Sequence, residues 1–202
     1  VAQTGGRDFW LHEVESGPIG GWVMGPDHRT TAEDIQTYCV EALGHDAKLM
    51  LFMPWREWHY QPLHWGALVD LDGEPTPRLA SAAELGAFLK AYGDLITAAH
   101  VPSAKVALLE SKVNAIFFKG VDQEEALFAA QRGAYRAAWE LGFTVDFINP
   151  AQIKPADLSY REILLPMMGL VERETAQSLA EFTHQGGVLV GFARCATLDE
   201  RG

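Results

Sequence analysis

Apolar residues gather into short runs at 8–13, 47–54, 104–110, 143–148, 161–166 and 187–192, each bordered by turn-forming residues. Runs of that length predict strands buried on both faces. Between most of them the apolar positions switch to a helical period. Thr31 and Asp34 predict a capped start for a helix that ends at Gly44, a residue suited to a left-handed C-terminal cap. Leu79 to Ala98 predicts the next helix. Leu127, Ala130, Ala134, Ala138 and Leu141 recur at three- and four-residue steps as one apolar stripe, and Gly142 ends that helix before Phe143 opens a strand. Val171 to His184 repeats the pattern ahead of Gly186 and Gly187. Strands alternating with helices predict parallel sheets with crossover helices, an α/β class.

Pro102 interrupts the pattern near His100 to Ser103 and predicts a boundary, giving one region at 1–102 and another at 103–202. The first region has only two predicted strands, and two parallel strands cannot cover both faces of a sheet. It reads as a piece of a larger sheet. The second stops at Thr197 to Gly202, just past a strand, which also predicts an incomplete domain. There is no internal repeat or low-complexity tract.

Composition narrows the function. At 202 residues, 48% of them apolar and six of them tryptophan, the chain can bury substantial cores. A net charge of -11 disfavours nucleic acid and anionic membrane as partners and leaves neutral ligands open. Cys39 and Cys195 are the only cysteines, far apart and outside any CxxC, so neither a disulfide framework nor a zinc site is expected. That usage favours a reducing, cytoplasmic setting. No apolar run approaches the roughly 20 residues of a membrane span.

Candidate chemistry begins at Phe9 to Trp22, where an apolar run delivers Glu13 into the glycine-rich loop Gly17-Pro18-Ile19-Gly20-Gly21-Trp22. A strand end would hold the carboxylate, the glycines would let a substrate approach the backbone, and an indole offers a flat face to a sugar ring. Glu15 would share a face with Glu13 if the strand continues, and carboxylates about 5 Å apart suit a retaining glycosidase. In barrels, however, such a pair comes from different strands, so Glu13 is taken alone. A strand-end glutamate is by itself more often merely solvated, and the context has to raise it. His12 alternates with Glu13 and is expected in packing.

That context comes after the second run, where Trp55, Arg56, Trp58, His59, Tyr60, Gln61, His64 and Trp65 crowd together. Aromatic faces stack on sugar C–H groups while Arg, Gln and His donate to hydroxyls, so the segment suits a carbohydrate subsite as well as a packed aromatic loop. Asp70, Asp72 and Glu74 lack EF-hand spacing and read as a solvated turn. Cys195 lies in Ala-Arg-Cys-Ala-Thr, without the Gly-x-Cys-x-Gly elbow of a nucleophile, and reads as structural.

Taken together, these residues resemble the β-galactosidases of glycoside hydrolase family 42 over nearly the whole chain. Trp10 to Pro18 is similar to the family's seventh barrel strand, which implies that Glu13 is the catalytic nucleophile. Trp22 matches a tryptophan shaping the sugar subsite, with one extra glycine intervening, and Trp55-Arg56 resembles the pair after the eighth strand. Where the family has Glu-x-x-His holding galactose hydroxyls, this chain has Gln61-Pro62-Leu63-His64. Exchanging that carboxylate for a neutral amide predicts weaker selection of galactose.

Residues from about Ser103 onward resemble the family's second domain, an amidotransferase-like fold that contributes to trimer formation. The resemblance therefore implies the C-terminal part of a (β/α)8 TIM barrel at 1–102, joined to a partial flavodoxin-like, class I glutamine amidotransferase-like domain at 103–202. It implies a retaining hydrolase of β-linked sugars that forms a homo-oligomer, a trimer, and needs no cofactor or metal. The acid/base residue would belong to the missing strands, leaving the fragment alone inactive. The rival readings are a noncatalytic carbohydrate-binding or oligomerisation module and an active amidotransferase.

Overall fold

The structure, a computed structural model, describes residues 9–21, 25–60, 63–154 and 159–199. In chain order the elements are β1 (Phe9–Glu15), β2 (Ile19–Gly21), β3 (Gly25–His28), α1 (Ala32–Gly44), β4 (Ala47–Met53), β5 (Trp58–Tyr60), β6 (Leu63–Trp65), α2 (Pro77–Ala98) and β7 (Val106–Leu109). There follow α3 (Lys112–Gly120), α4 (Glu124–Glu140), β8 (Val145–Ile148), a 3-10 turn at Pro150–Gln152, β9 (Glu162–Leu165), α5 (Arg173–His184) and β10 (Val188–Gly191). They form two compact units that divide between Val101 and Pro102. Among the described residues no helix is long and apolar enough to cross a membrane.

In the first unit β1 and β4 pair in parallel, and α1 connects them. Thr31 caps α1 through the predicted box, its hydroxyl accepting from the Asp34 N–H while the Asp34 carboxylate accepts from the Thr31 N–H. The other end departs from expectation. Gly44 stays inside the helix, His45 is the cap, and Asp46 takes the left-handed conformation at φ 69°. Ile35, Cys39 and Ala42 are the buried stripe of α1. α2 packs on α1, and its Ser81 hydroxyl donates to the Ala32 carbonyl at 2.7 Å. A second, antiparallel sheet of order β3-β2-β6-β5 joins the glycine loop to the aromatic segment.

The second unit is one parallel sheet of order β10-β9-β7-β8. β7 lies inside it and is buried along its whole length, because helices reach both faces. Ala107, Leu109, Ile148, Ile163 and Leu165 face α5 through Leu179 and Phe182. Val106, Leu108 and Leu164 face α4 through Ala134 and Ala138. α3 was not foreseen from the sequence; Ser111 caps it by accepting from the Asn114 N–H at 3.3 Å. Gly142 and Gly186 follow α4 and α5 at φ 84° and 96°, the left-handed geometry that glycine adopts at no cost.

Candidate functional site

β1 carries one residue more than β4 between two of its pairs: Leu11 pairs with Met50, and Val14 with Phe52. His12 and Glu13 therefore stand together against the single Leu51, as in a β-bulge, and both are exposed. Strict alternation predicts His12 turned away into packing, but it is exposed. His12 stacks instead on Trp10, ring centroids 5.8 Å apart. The strand also runs on to Glu15, so Glu13 lies at the bulge rather than at the strand's end. Bulges re-aim side chains and recur beside active sites.

The two glutamates have different surroundings. Glu13 is exposed, whereas Glu15 is partly buried and its charge reaches Tyr38 on α1. Burial chiefly, with help from the Asp34 and Glu15 carboxylates, holds the Tyr38 phenol above its ordinary pKa.

Immediately after β1 the chain is clamped against the end of the aromatic segment. A Cβ on Gly17 would sit 2.3 Å from the Gly66 carbonyl carbon, and one on Gly66 would sit 2.5 Å from the Pro18 ring. Only glycine allows that crossing, which the Gly66 N–H closes by donating to the Pro18 carbonyl at 2.6 Å. Buried Ser16 donates through its hydroxyl to the Pro54 carbonyl and through its N–H to that of Met53, joining the ends of β1 and β4. Arg78, at the start of α2, donates from Nε to the carbonyls of Ser16 and Ala67, both at 3.0 Å, and from Nη2 to Ala67 at 2.7 Å. Burial lowers the Arg78 pKa while the Glu57 carboxylate pushes it back up. Ser16, Gly17, Gly66 and Arg78 were missed as site-building residues. Ser-Gly-Pro directly after an apolar run was the available signal, but its partner at Gly66 is visible only in three dimensions.

The crossing sets β2 against β6, with Ile19 paired to Trp65 and Gly20 to His64. β6 turns back on β5, and the Trp58 and Trp65 rings stack at 5.8 Å and 12°. The segment expected as an aromatic loop is thus a short hairpin. Trp55 stands exposed beyond β4, which ends at a cis Met53-Pro54 bond. Arg56 donates from Nε and Nη2 to the Leu71 carbonyl, fastening the 70–75 turn. Asp70 organises that turn by accepting from the N–H groups of Asp72 and Glu74 at 3.0 and 2.8 Å. Among the described residues no group of His, Cys, Asp or Glu is placed to hold a metal. Trp22 and Gln61 lie outside the described residues.

In the second unit Cys195 packs on Gly191, and burial raises its thiol pKa, the wrong direction for a nucleophile. Arg194 and Ala196 flank it at φ 59° and 53°, while Cys195 itself takes no such strained conformation. The neighbouring backbone is tied down: Ala196 N–H donates to Met168, and Thr197 and Leu198 N–H groups to Gly169. These observations fit the structural role expected of Cys195.

Residues 104–202 match the family described as the β-galactosidase trimerisation domain. Solved structures extend the likeness across both units. Gan42B, a GH42 β-galactosidase from G. stearothermophilus, is 25% identical with a TM-score of 0.79, covering 96% of this chain and 28% of its own. The cold-adapted β-galactosidase from Rahnella sp. R3 is 24% identical at a TM-score of 0.77, covering 98% and 29%. The polyextremophilic β-galactosidase from Halorubrum lacusprofundi is 23% identical, also at 0.77, covering 96% and 28%. The chain spans less than a third of the length of each. No curated protein sequence matches it.

Proposed function

We propose, from the match of residues 104–202 to the β-galactosidase trimerisation domain model and the likeness of the whole fold to part of the family 42 β-galactosidases, that the parent protein is a retaining glycoside hydrolase of β-linked sugars. In this reading Glu13 is the nucleophile. Its carboxylate forms a bond to the anomeric carbon as the bond to the leaving oxygen breaks, giving a glycosyl-enzyme. Water then displaces Glu13 and returns the enzyme. The proton given to the leaving group, and later taken from water, belongs to an acid/base residue outside this chain. The chemistry calls for no cofactor.

One observation supports the assignment above the others. β1 and β4 are parallel neighbours, and the loops leaving them are laced together through Gly17, Gly66, Ser16 and the Gly20–His64 pairing. Glu13 stands two residues before the end of β1, Trp55 and Arg56 follow β4, and β6, which carries His64, pairs with the strand after β1; this supports a grouping toward the carboxyl ends of the parallel pair, where barrel enzymes gather their catalytic groups. Trp22 and Trp55 are assigned to the faces of the sugar, and Arg56, Gln61 and His64 to its hydroxyls. Arg56 gives two of its donors to Leu71, and a guanidinium retains others for a ligand. Gln61 in place of a carboxylate favours a β-linked sugar other than galactose. Residues 103–202 are assigned to assembly of a homotrimer.

The test is trapping of the parent enzyme with a 2-fluoro glycoside, followed by peptide mapping. A label on Glu13, lost in Glu13→Gln, is expected. A label on Glu15 reverses the assignment. Glycan binding that survives Glu13→Gln in a parent with no turnover at all points to a noncatalytic module.

A further inference from the structure

The second unit has a cavity that the glycosidase reading does not use. On the face of the sheet covered by α5, the register sets Ala107 between Asp146 on β8 and Ile163 on β9. β8 is an edge strand, and its link to β9 has only the 3-10 turn at Pro150–Gln152 as regular structure among the described residues. A crossover helix would normally fill that face. Here a cavity of about 410 Å³ is lined by Ile153, Lys154, Ser159 and Tyr160, by the sheet and by Phe182 of α5.

The walls are of two kinds. Ile148, Ile153, Ile163 and Phe182 make a buried apolar floor. Lys105, Lys154, Asp146 and Tyr160 supply the charged and polar rim. Within the rim the Asp146 carboxylate already accepts from the Tyr160 hydroxyl at 2.9 Å. Lys105 Nζ donates to the Ser159 carbonyl at 3.4 Å, and Lys154 is exposed. Among the described lining residues two ammonium groups stand against one engaged carboxylate, in a chain of net charge -11.

We propose that this cavity binds a small amphiphilic anion, a carboxylate or phosphate carried on a compact apolar body. The apolar part takes the isoleucine and phenylalanine floor, and the head group lies between Lys105 and Lys154. The volume falls within the range of small-molecule sites, and an apolar floor with a few convergent polar groups is their usual composition. A neutral polyol would leave the floor unmatched, and an inorganic anion would leave it wet.

Calorimetric titration of the full 202-residue chain with phenyl phosphate, benzoate, inorganic phosphate and phenol tests the proposal. Saturable one-to-one binding of an aromatic anion is expected with Kd on the order of 0.1–1 mM, with phosphate and phenol each about tenfold weaker. Comparing benzoate with phenyl phosphate identifies the head group. Lys105→Gln with Lys154→Gln should weaken binding about tenfold at an unchanged Tm, and added salt should weaken it in the parent but much less in the variant. Lys154→Gln alone alters an exposed side chain, so it keeps the test open if the double variant misfolds. No saturation by either aromatic anion at about 10 mM, equal binding of phenol, or undiminished binding by the lysine variants overturns it.

Discussion

The two units use the same βα vocabulary and bury it very differently. In the second, β7 is enclosed on both faces, and Leu108, Leu109, Ile148 and Ile163 are fully buried. In the first, β1 and β4 pair only with each other among the described residues, leaving Trp10 52% and Leu51 48% exposed. Among the described residues its large, fully buried side chains are Ile35 and Cys39, beside Ser16. A parallel strand is stabilised by what covers its two faces, and a strand pair with one helical connection lacks that cover. The first unit adds backbone clamps to a smaller apolar core of Val14, Ile19, Ile35, Cys39, Leu68, Val69 and Leu85: a glycine crossing, a buried serine and an arginine on two carbonyls. The second region relies more on buried apolar area, the first more on these contacts.

Substitution separates the two. Leu108→Ala should destabilise the second unit by about 3 kcal/mol in urea unfolding, whereas Leu51→Ala should cost less than about 1 kcal/mol, because the exposed methyls leave no cavity. Equal costs would erase the contrast. Gly17→Ala should cost the first unit about 2 kcal/mol, since the new Cβ meets backbone, which cannot rotate aside. The melting of that unit, followed by fluorescence of its tryptophans, is the readout, and a wild-type transition would show that the crossing is loose.

Alkaline pH should also act on the first unit. Burial raises the Cys39 thiol to about 11 from 9.0. A group whose folded pKa is raised contributes stability that is complete below the unfolded value and disappears as pH rises through the folded one. The first unit should therefore weaken between pH 9 and 11, and Cys39→Ala should flatten that slope, as seen in unfolding midpoints across the range. Smallest of the four, Thr31→Ala should cost about 1 kcal/mol by removing the acceptor at the start of α1. Unchanged stability would mean that packing on α2 alone holds that end.

Much of the parallel architecture was legible because its signals are local. The six apolar runs are β1, β4, β7, β8, β9 and β10, and the Thr31–Asp34 box and Gly142 stop stand where the pattern put them. The antiparallel strands β2, β3, β5 and β6 are three or four residues long and have no period to read. They exist because Gly17 and Gly66 let two distant loops touch. The bulge at His12–Glu13 was equally hidden, since it is a mismatch between two strands and belongs to neither.

Alternation of apolar runs with helical stripes and the N-terminal cap of α1 were determined by the sequence itself, because each depends on residues a few positions apart. Only the tertiary structure decided that Arg56 fastens a turn, that Arg78 joins the loops after β1 and β6, and that His12 and Glu13 together stand against the single Leu51. Those outcomes depend on which backbone groups meet across 15 to 62 residues of chain. Contact at that separation is selected by the packing of whole elements, which no local pattern encodes.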